Sequence, residues 1–116
     1  MTSPKPIWMA MYWDDYARDT AHFSVSHHGA YLMLIKHYWC TGTPLPDDDA
    51  QLARLAICDG VAHWRKLKPL IEPMFVVGDG MWRHKRIDQE LAKAAELITS
   101  KSKAGKEGAR RRWQKQ

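Results

Sequence analysis

Residues 47–86 read DDDAQLARLAICDGVAHWRKLKPLIEPMFVVGDGMWRHKR, and the rest of the chain can be arranged around this stretch. Three aspartates open a first helix, where carboxylates complement the free N–H groups and the positive end of the helix dipole. A break at residues 58–60 precedes a second amphipathic run at residues 61–71. Two short runs of strand-forming residues then surround the turn sequence at residues 78–80. The pattern therefore predicts two helices followed by a β-hairpin.

Shorter patterns lie on either side of this stretch. Residues 7–13, IWMAMYW, have the aromatic content and the lack of charge that are typical of a packed strand. Ser24 is expected to cap a central, almost wholly apolar helix that runs to about Cys40. Residues 43–45 are expected to add a small strand, and a last helix is expected to begin near Asp88.

The order helix, tight turn, helix and hairpin is that of a winged helix-turn-helix domain, whose second helix usually enters the DNA major groove. We therefore predict a mainly α fold with a small β-sheet (α+β). It would be a winged helix-turn-helix with an N-terminal strand and a C-terminal helix over residues 1–99. Beyond Thr99 the composition shifts to serine, glycine, lysine and arginine, which predicts a basic, flexible tail over residues 100–116.

The net charge of +5 is unevenly distributed along the 116 residues. Residues 101–116 hold seven basic residues and one glutamate, so this tail carries +6 and residues 1–100 carry −1. A basic tail is typical of proteins that bind an anionic polymer, most often nucleic acid. The alternative interpretation is a solvated tail that only improves solubility.

The second predicted helix has one apolar and one basic face. At 100° per residue, Trp64, Leu67 and Ile71 share an apolar stripe that faces the core. Lys66 points directly outward, with Arg65 and His63 on its flanks. Lys68 lies beside the apolar stripe and is expected to extend along the domain surface. Pro69 removes a helical hydrogen bond, so a kink or an end is expected there.

The predicted hairpin has a basic second strand. Gly78 and Gly80 are expected to supply positive-φ positions in its turn. Alternation places Arg83 and Lys85 on one face and Trp82 on the other, together with His84 and Arg86, and the pattern leaves open which face is buried. Such a wing can lie on a phosphate backbone or in a minor groove, or it can be an ordinary exposed edge protected by its charge. The candidate DNA-contacting residues are therefore His63, Arg65, Lys66, Arg83, Lys85, Lys101, Lys103, Lys106, Arg110, Arg111 and Arg112.

No catalytic or metal-binding constellation is visible in the sequence. His37 and Cys40 form a single pair at ligand spacing with no matching second pair, and helix capping accounts for the run of aspartates. There is no Walker-type phosphate loop and no nucleophile elbow. No apolar run reaches the ~18 residues needed to span a bilayer, and MTSPKPIW lacks an apolar signal region. We therefore expect a cytoplasmic protein that is not an enzyme, needs no cofactor or metal, and does not insert into membranes.

Five sequence blocks occur together in this chain: DDYARDTAH, HGAYLMLIKHYW, PLPDDDAQLARLA, WRHKRIDQEL and SKAGKEGARRRW. In this order they resemble the YdaU-like family of phage and prophage proteins, long catalogued as a domain of unknown function. The resemblance implies a winged-helix replication-initiation module that binds an origin or organises a replisome, with a helicase-loader-type protein as a partner. It carries over no DNA-contact residue. The turn ICDGVAH departs from the Gly-then-Ser turn usual between such helices.

Three functions are compatible with these observations. The leading hypothesis is DNA binding in replication initiation or replisome organisation. The second is a protein–protein interaction or self-assembly module, because residues 1–100 are nearly neutral and the apolar N-terminal strand could pair with a second copy to give a homo-oligomer. The third is a small transcriptional regulator, which would use the same contacts to DNA.

Overall fold

The computed structural model of the protein describes residues 9–97. The helices are α1 (Trp13–Asp19), α2 (Val25–Thr41), α3 (Asp49–Leu55) and α4 (Val61–Ile71), and a 3-10 turn follows at Glu72–Met74. The strands are β1 (Leu45–Pro46), β2 (Val76–Gly78) and β3 (Met81–Arg83). A last helix, α5, covers residues 85–97, up to the end of the described range. The predicted α+β fold, mainly helical with a small sheet, is confirmed.

The three strands form one antiparallel sheet in the order β1-β3-β2. Trp82 of β3 is the central position, since it lies opposite Leu45 on one side and Val77 on the other. The predicted small strand at residues 43–45 was placed slightly early. Leu45 is fully buried whereas Thr43 is exposed, so packing favours pairing at Leu45–Pro46.

Helix α2 is the central helix that the sequence predicts. The Ser24 side chain accepts a hydrogen bond from the backbone N–H of His27 and caps the helix start. Gly42 ends the helix in the left-handed conformation, with φ 69°. The buried residues of α2 lie all around its middle: Ala30, Tyr31, Leu34, Ile35, Tyr38 and Trp39.

The predicted N-terminal strand is wrong for the part of it that the structure describes. Residues 9–12 belong to no strand, and Trp13 begins α1. Asp14 and Asp15 lie in the first turn of that helix, where carboxylates are favourable, and this local preference outweighs the aromatic pattern. Ile7 and Trp8 lie outside the described residues.

Two predictions for the second half of the fold also need correction. Helix α4 continues through Pro69 to the fully buried Ile71, so of the kink or end predicted at Pro69 the end is wrong. The turn of the hairpin takes its positive φ values at Asp79 (53°) and Gly80 (74°), not at Gly78. Positive φ at both central residues is the type I′ geometry that matches the twist of paired strands.

Helix α5 begins earlier than predicted. The carbonyl of His84 accepts the N–H of Asp88 at 2.9 Å, and its ring Nδ1 accepts the N–H of Ile87 at 3.3 Å. His84 therefore caps the helix from within what the pattern presents as a strand. As a result Lys85 and Arg86 are helical, and their predicted placement on the second strand of the hairpin is wrong.

Within residues 9–97, no helix combines the length and the apolar character needed to cross a membrane. Over the same range, no three or more histidine, cysteine, aspartate or glutamate residues are grouped so that they could hold a metal ion.

Candidate nucleic-acid interface

Helix α4 separates an apolar face from a basic face, as the helical wheel predicts. Trp64 and Ile71 are fully buried and Leu67 is nearly so. Arg65 and Lys66 are exposed, and the Arg65 side chain keeps 67% of its surface accessible. Neither basic side chain is covered by other parts of the described chain.

Two tryptophans lock α4 to the hairpin. The ring of Trp64 lies 5.9 Å from the ring of Trp82, and Trp82 in turn lies 5.4 Å from Phe75. Trp64 and Trp82 have no exposed surface. Because buried aromatic contacts of this size dominate a small core, α4 and the hairpin are held as one unit.

The three consecutive aspartates take three different roles. Asp48 caps α3 by accepting the N–H of Gln51 at 3.1 Å. Asp47 accepts the indole N–H of Trp82 at 2.9 Å, and Asp49 accepts that of Trp64 at 3.1 Å. A buried indole needs such a partner. Helix capping, which the sequence suggested for all three, therefore describes the side-chain hydrogen bonding of Asp48 alone.

Asp49 also binds two of the basic side chains of α4. Its Oδ2 atom accepts a hydrogen bond from Arg65 Nε at 3.3 Å, and its Oδ1 atom accepts one from Lys68 Nζ at 3.0 Å. The hydrogen bond from Lys68 is the main cause that lowers the pKa of Asp49, and the same bond raises the pKa of Lys68. Lys68 extends along the surface as predicted, 6.0 Å from the centre of the Trp82 ring. Lys66 has no hydrogen-bond or ion-pair partner among residues 9–97.

The third candidate on α4, His63, uses one of its two ring nitrogens in a hydrogen bond within the fold. Its Nδ1 atom accepts the backbone N–H of Asp59 at 3.1 Å, which stabilises the start of the helix. The side chain is 38% exposed, and Nε2 is the ring nitrogen that remains for an outside partner.

The two candidates that follow the hairpin turn, Arg83 and Lys85, lie on two different elements. Side chains alternate along a strand, so Arg83 points away from the face on which Trp82 packs against Trp64. Lys85 is exposed at the start of α5 rather than on the hairpin. The hairpin tip itself carries the acidic Asp79. The six candidates of the tail, Lys101, Lys103, Lys106, Arg110, Arg111 and Arg112, lie outside the described residues.

The described part of the chain is not basic as a whole. Residues 9–97 contain ten lysines and arginines and twelve aspartates and glutamates, a net charge of −2. Exposed apolar side chains lie close to the basic ones in sequence, among them Leu70 (36% exposed) and Val76 (66%). Any attraction of this part to a polyanion is therefore local, whereas residues 98–116 carry +6.

Asp49 was not identified from the sequence as a partner of the basic side chains of α4. Asp49 is separated by 16 residues from Arg65 and by 19 from Lys68, and no local pattern marks these pairs. Only the packing of α3 on α4 brings the carboxylate to the basic face.

The chain belongs to the family described as "Protein of unknown function (DUF1376)", whose profile matches residues 7–92. It is 40% identical over 100 residues to "Uncharacterized protein YdaU" of Escherichia coli (strain K12). That match covers 85% of this chain but 34% of the relative, so the chain spans about a third of the relative's length. The resemblance to the YdaU-like family is thus confirmed. No solved structure matches the chain.

Proposed function

We propose that the chain is a winged-helix module that binds double-stranded DNA. The observation that carries this proposal is the position of α4. Its Trp64 is buried against Trp82 of the hairpin while its Arg65 and Lys66 remain exposed. The element order and the three-stranded sheet support the proposal, because a short strand, two helices and a hairpin are the parts of a winged helix.

In the proposed complex, α4 enters the major groove and the basic tail neutralises phosphates. Arg65 and Lys66 are placed to reach base edges or the backbone beside them. Since residues 9–97 carry −2, the tail supplies most of the non-specific attraction. The proposal involves no catalytic step and no cofactor.

The cellular role that we propose comes from the family resemblance. It is replication initiation or replisome organisation of phage or prophage type, in the cytoplasm, with a helicase-loader-type protein as a partner. A small transcriptional regulator would make the same contacts to DNA. Mapping the bound sites to an origin or to promoters separates these two roles.

A second candidate function is a protein-interaction module. A groove of about 340 Å³ lies between α2 and the α3–α4 turn, and its lining includes Met33, Ile57 and Leu67. Ile57 is 67% exposed and has a positive φ of 58°, a backbone conformation that β-branched residues rarely adopt. Residues 9–12 form no strand, so the described part of the chain adds no support to self-assembly through the N-terminal segment. Light scattering on the wild type and on Ile57→Ser tests whether this groove supports a homo-oligomer.

Fluorescence anisotropy with labelled duplex and single-stranded DNA tests the proposed function. With duplex DNA, affinity should fall steeply as salt increases. Deleting residues 101–116 removes a net charge of +6 and should flatten the slope of log affinity against log salt by up to about 5. An affinity that responds neither to salt nor to the deletion would contradict the proposal.

A further inference from the structure

We infer that Asp49 holds Arg65 as a preformed donor pair that reads a guanine in the major groove. This inference rests on the proposed function and names the base that the site would select. It treats Arg65 as the base-reading residue and Asp49 as the residue that positions it.

The carboxylate of Asp49 is held in place by contacts other than the one to Arg65. Its Oδ1 atom accepts the indole N–H of Trp64, a residue with no exposed surface, and also binds Lys68 Nζ. The Asp49 side chain is only 25% exposed. Its Oδ2 atom is thereby aimed at the Nε atom of Arg65, 3.3 Å away. The long Arg65 side chain is thus connected to the buried Trp64 through the partly buried carboxylate of Asp49.

The way in which Arg65 is held leaves its recognition edge accessible. Only Nε of Arg65 donates to Asp49, so its terminal amino groups have no partner among residues 9–97, and the side chain is 67% exposed. Guanine presents two acceptors, O6 and N7, in the major groove, and arginine matches them with two parallel hydrogen bonds. Because the fork is already ordered, less side-chain freedom is lost on binding. Lys66, which has no such support among residues 9–97, is better suited to contact a phosphate as a single charge.

The competing account of Asp49 is purely electrostatic. A carboxylate close to two cations reduces their attraction for phosphates, so in that account Asp49 only weakens DNA binding. The two effects give different results, because a weakened attraction lowers affinity for every sequence whereas a lost guanine contact changes only the preference among sequences.

Selection from a duplex pool with a randomised core identifies the preferred site of the wild type. Guanine should be enriched at one position, and replacing that G·C pair by A·T should weaken wild-type binding about 5- to 150-fold. In Arg65→Lys, which keeps the charge but lacks the fork, this penalty should shrink to within about twofold. In Lys66→Ala the penalty should persist.

Asp49→Asn tests the positioning role. The amide keeps an oxygen for the Trp64 indole but can replace the acceptor of Arg65 by a donor. The guanine penalty should therefore fall about 2- to 12-fold, the cost of immobilising one long side chain. The same substitution in the Arg65→Lys background should leave the penalty unchanged. A general gain in affinity for all duplexes with an intact guanine penalty would overturn the positioning role.

The failures of the two proposals are distinguishable. Binding to a preferred duplex with a guanine penalty that survives Arg65→Lys would overturn this inference and leave DNA binding intact. The absence of binding to any duplex in the pool would overturn the proposed function and the inference with it.

Discussion

Replacing Asp49 by alanine should destabilise the protein more than the loss of an ordinary exposed carboxylate does. Trp64 is fully buried, and its indole N–H donates to Asp49 Oδ1 at 3.1 Å. Leaving a buried donor unpaired costs about 1–3 kcal/mol. Loss of a carboxylate from the first turn of α3 adds roughly 0.3–1 kcal/mol. Release of Arg65 and Lys68 adds little, since ion pairs between partly exposed side chains contribute little to stability.

The expected loss for Asp49→Ala is therefore about 1.3–4 kcal/mol in the free energy of unfolding. Thermal unfolding followed by circular dichroism should show a Tm at least about 5 °C lower than that of the wild type. Asp49→Asn keeps an acceptor for the indole, so its loss should stay below about 1 kcal/mol. Asp14→Ala is the matched control, because Asp14 is an exposed first-turn carboxylate without a hydrogen-bond or ion-pair partner among residues 9–97.

The pH dependence provides a second test of the same carboxylate. The pKa of Asp49 is lowered in the folded state, mainly by the hydrogen bond from Lys68, so its charge stabilises the fold above the pKa of the unfolded chain. The stability difference between the wild type and Asp49→Asn should be constant at neutral pH and should shrink below about pH 4. Equal destabilisation by Asp49→Asn and Asp49→Ala, or a loss no larger than in Asp14→Ala, would refute the role of the indole hydrogen bond.

Three further predictions concern the fold, each measured by urea unfolding. Gly80 has φ 74°, so Gly80→Ala should cost about 1–2 kcal/mol. Gly78 has no positive φ and has open space where a Cβ would lie, so Gly78→Ala should be nearly neutral. Equal losses of stability in Gly80→Ala and Gly78→Ala would contradict the turn assignment. Ser24→Ala should cost about 1 kcal/mol through loss of the α2 cap, whereas the exposed Ser26→Ala should not, and the reverse order would contradict the cap. Burial lowers the pKa of His84 to about 4, so the folded state binds fewer protons than the unfolded chain between about pH 4 and 6.5. Stability should therefore fall by roughly 3 kcal/mol as the pH drops across this range. His84→Gln should flatten that decline, and an unchanged slope would exclude His84 as its source.

Local patterns were sufficient to predict much of the fold. The start of α2 at Ser24, the break at residues 58–60 and the inward position of Trp64 follow from capping, turn and helical-period rules. Each of these rules depends on residues within about one or two helical turns of each other. For the same reason the exposed position of Lys66 follows from the helical period of α4.

The features that the sequence did not predict depend on distant contacts or on competing local rules. The Asp47–Trp82 hydrogen bond joins residues 35 positions apart, and the Asp49–Arg65 pair joins residues 16 apart. His84 caps α5 from a stretch that has the composition of a strand. The misplacement of Lys85 follows directly from that missed cap, since the alternation rule was extended past the last strand residue.

The contact between α4 and duplex DNA is tested most directly by the preference of the protein for its selected duplex over a scrambled one. The double variant Arg65→Ala/Lys66→Ala should lose most of this preference while its Tm stays close to that of the wild type, because both side chains are exposed. Lys36→Ala/Lys93→Ala removes the same charge from exposed positions on α2 and α5 and should keep the preference. Loss of preference in both double variants, or in neither, would contradict the assignment of α4 as the DNA-reading helix.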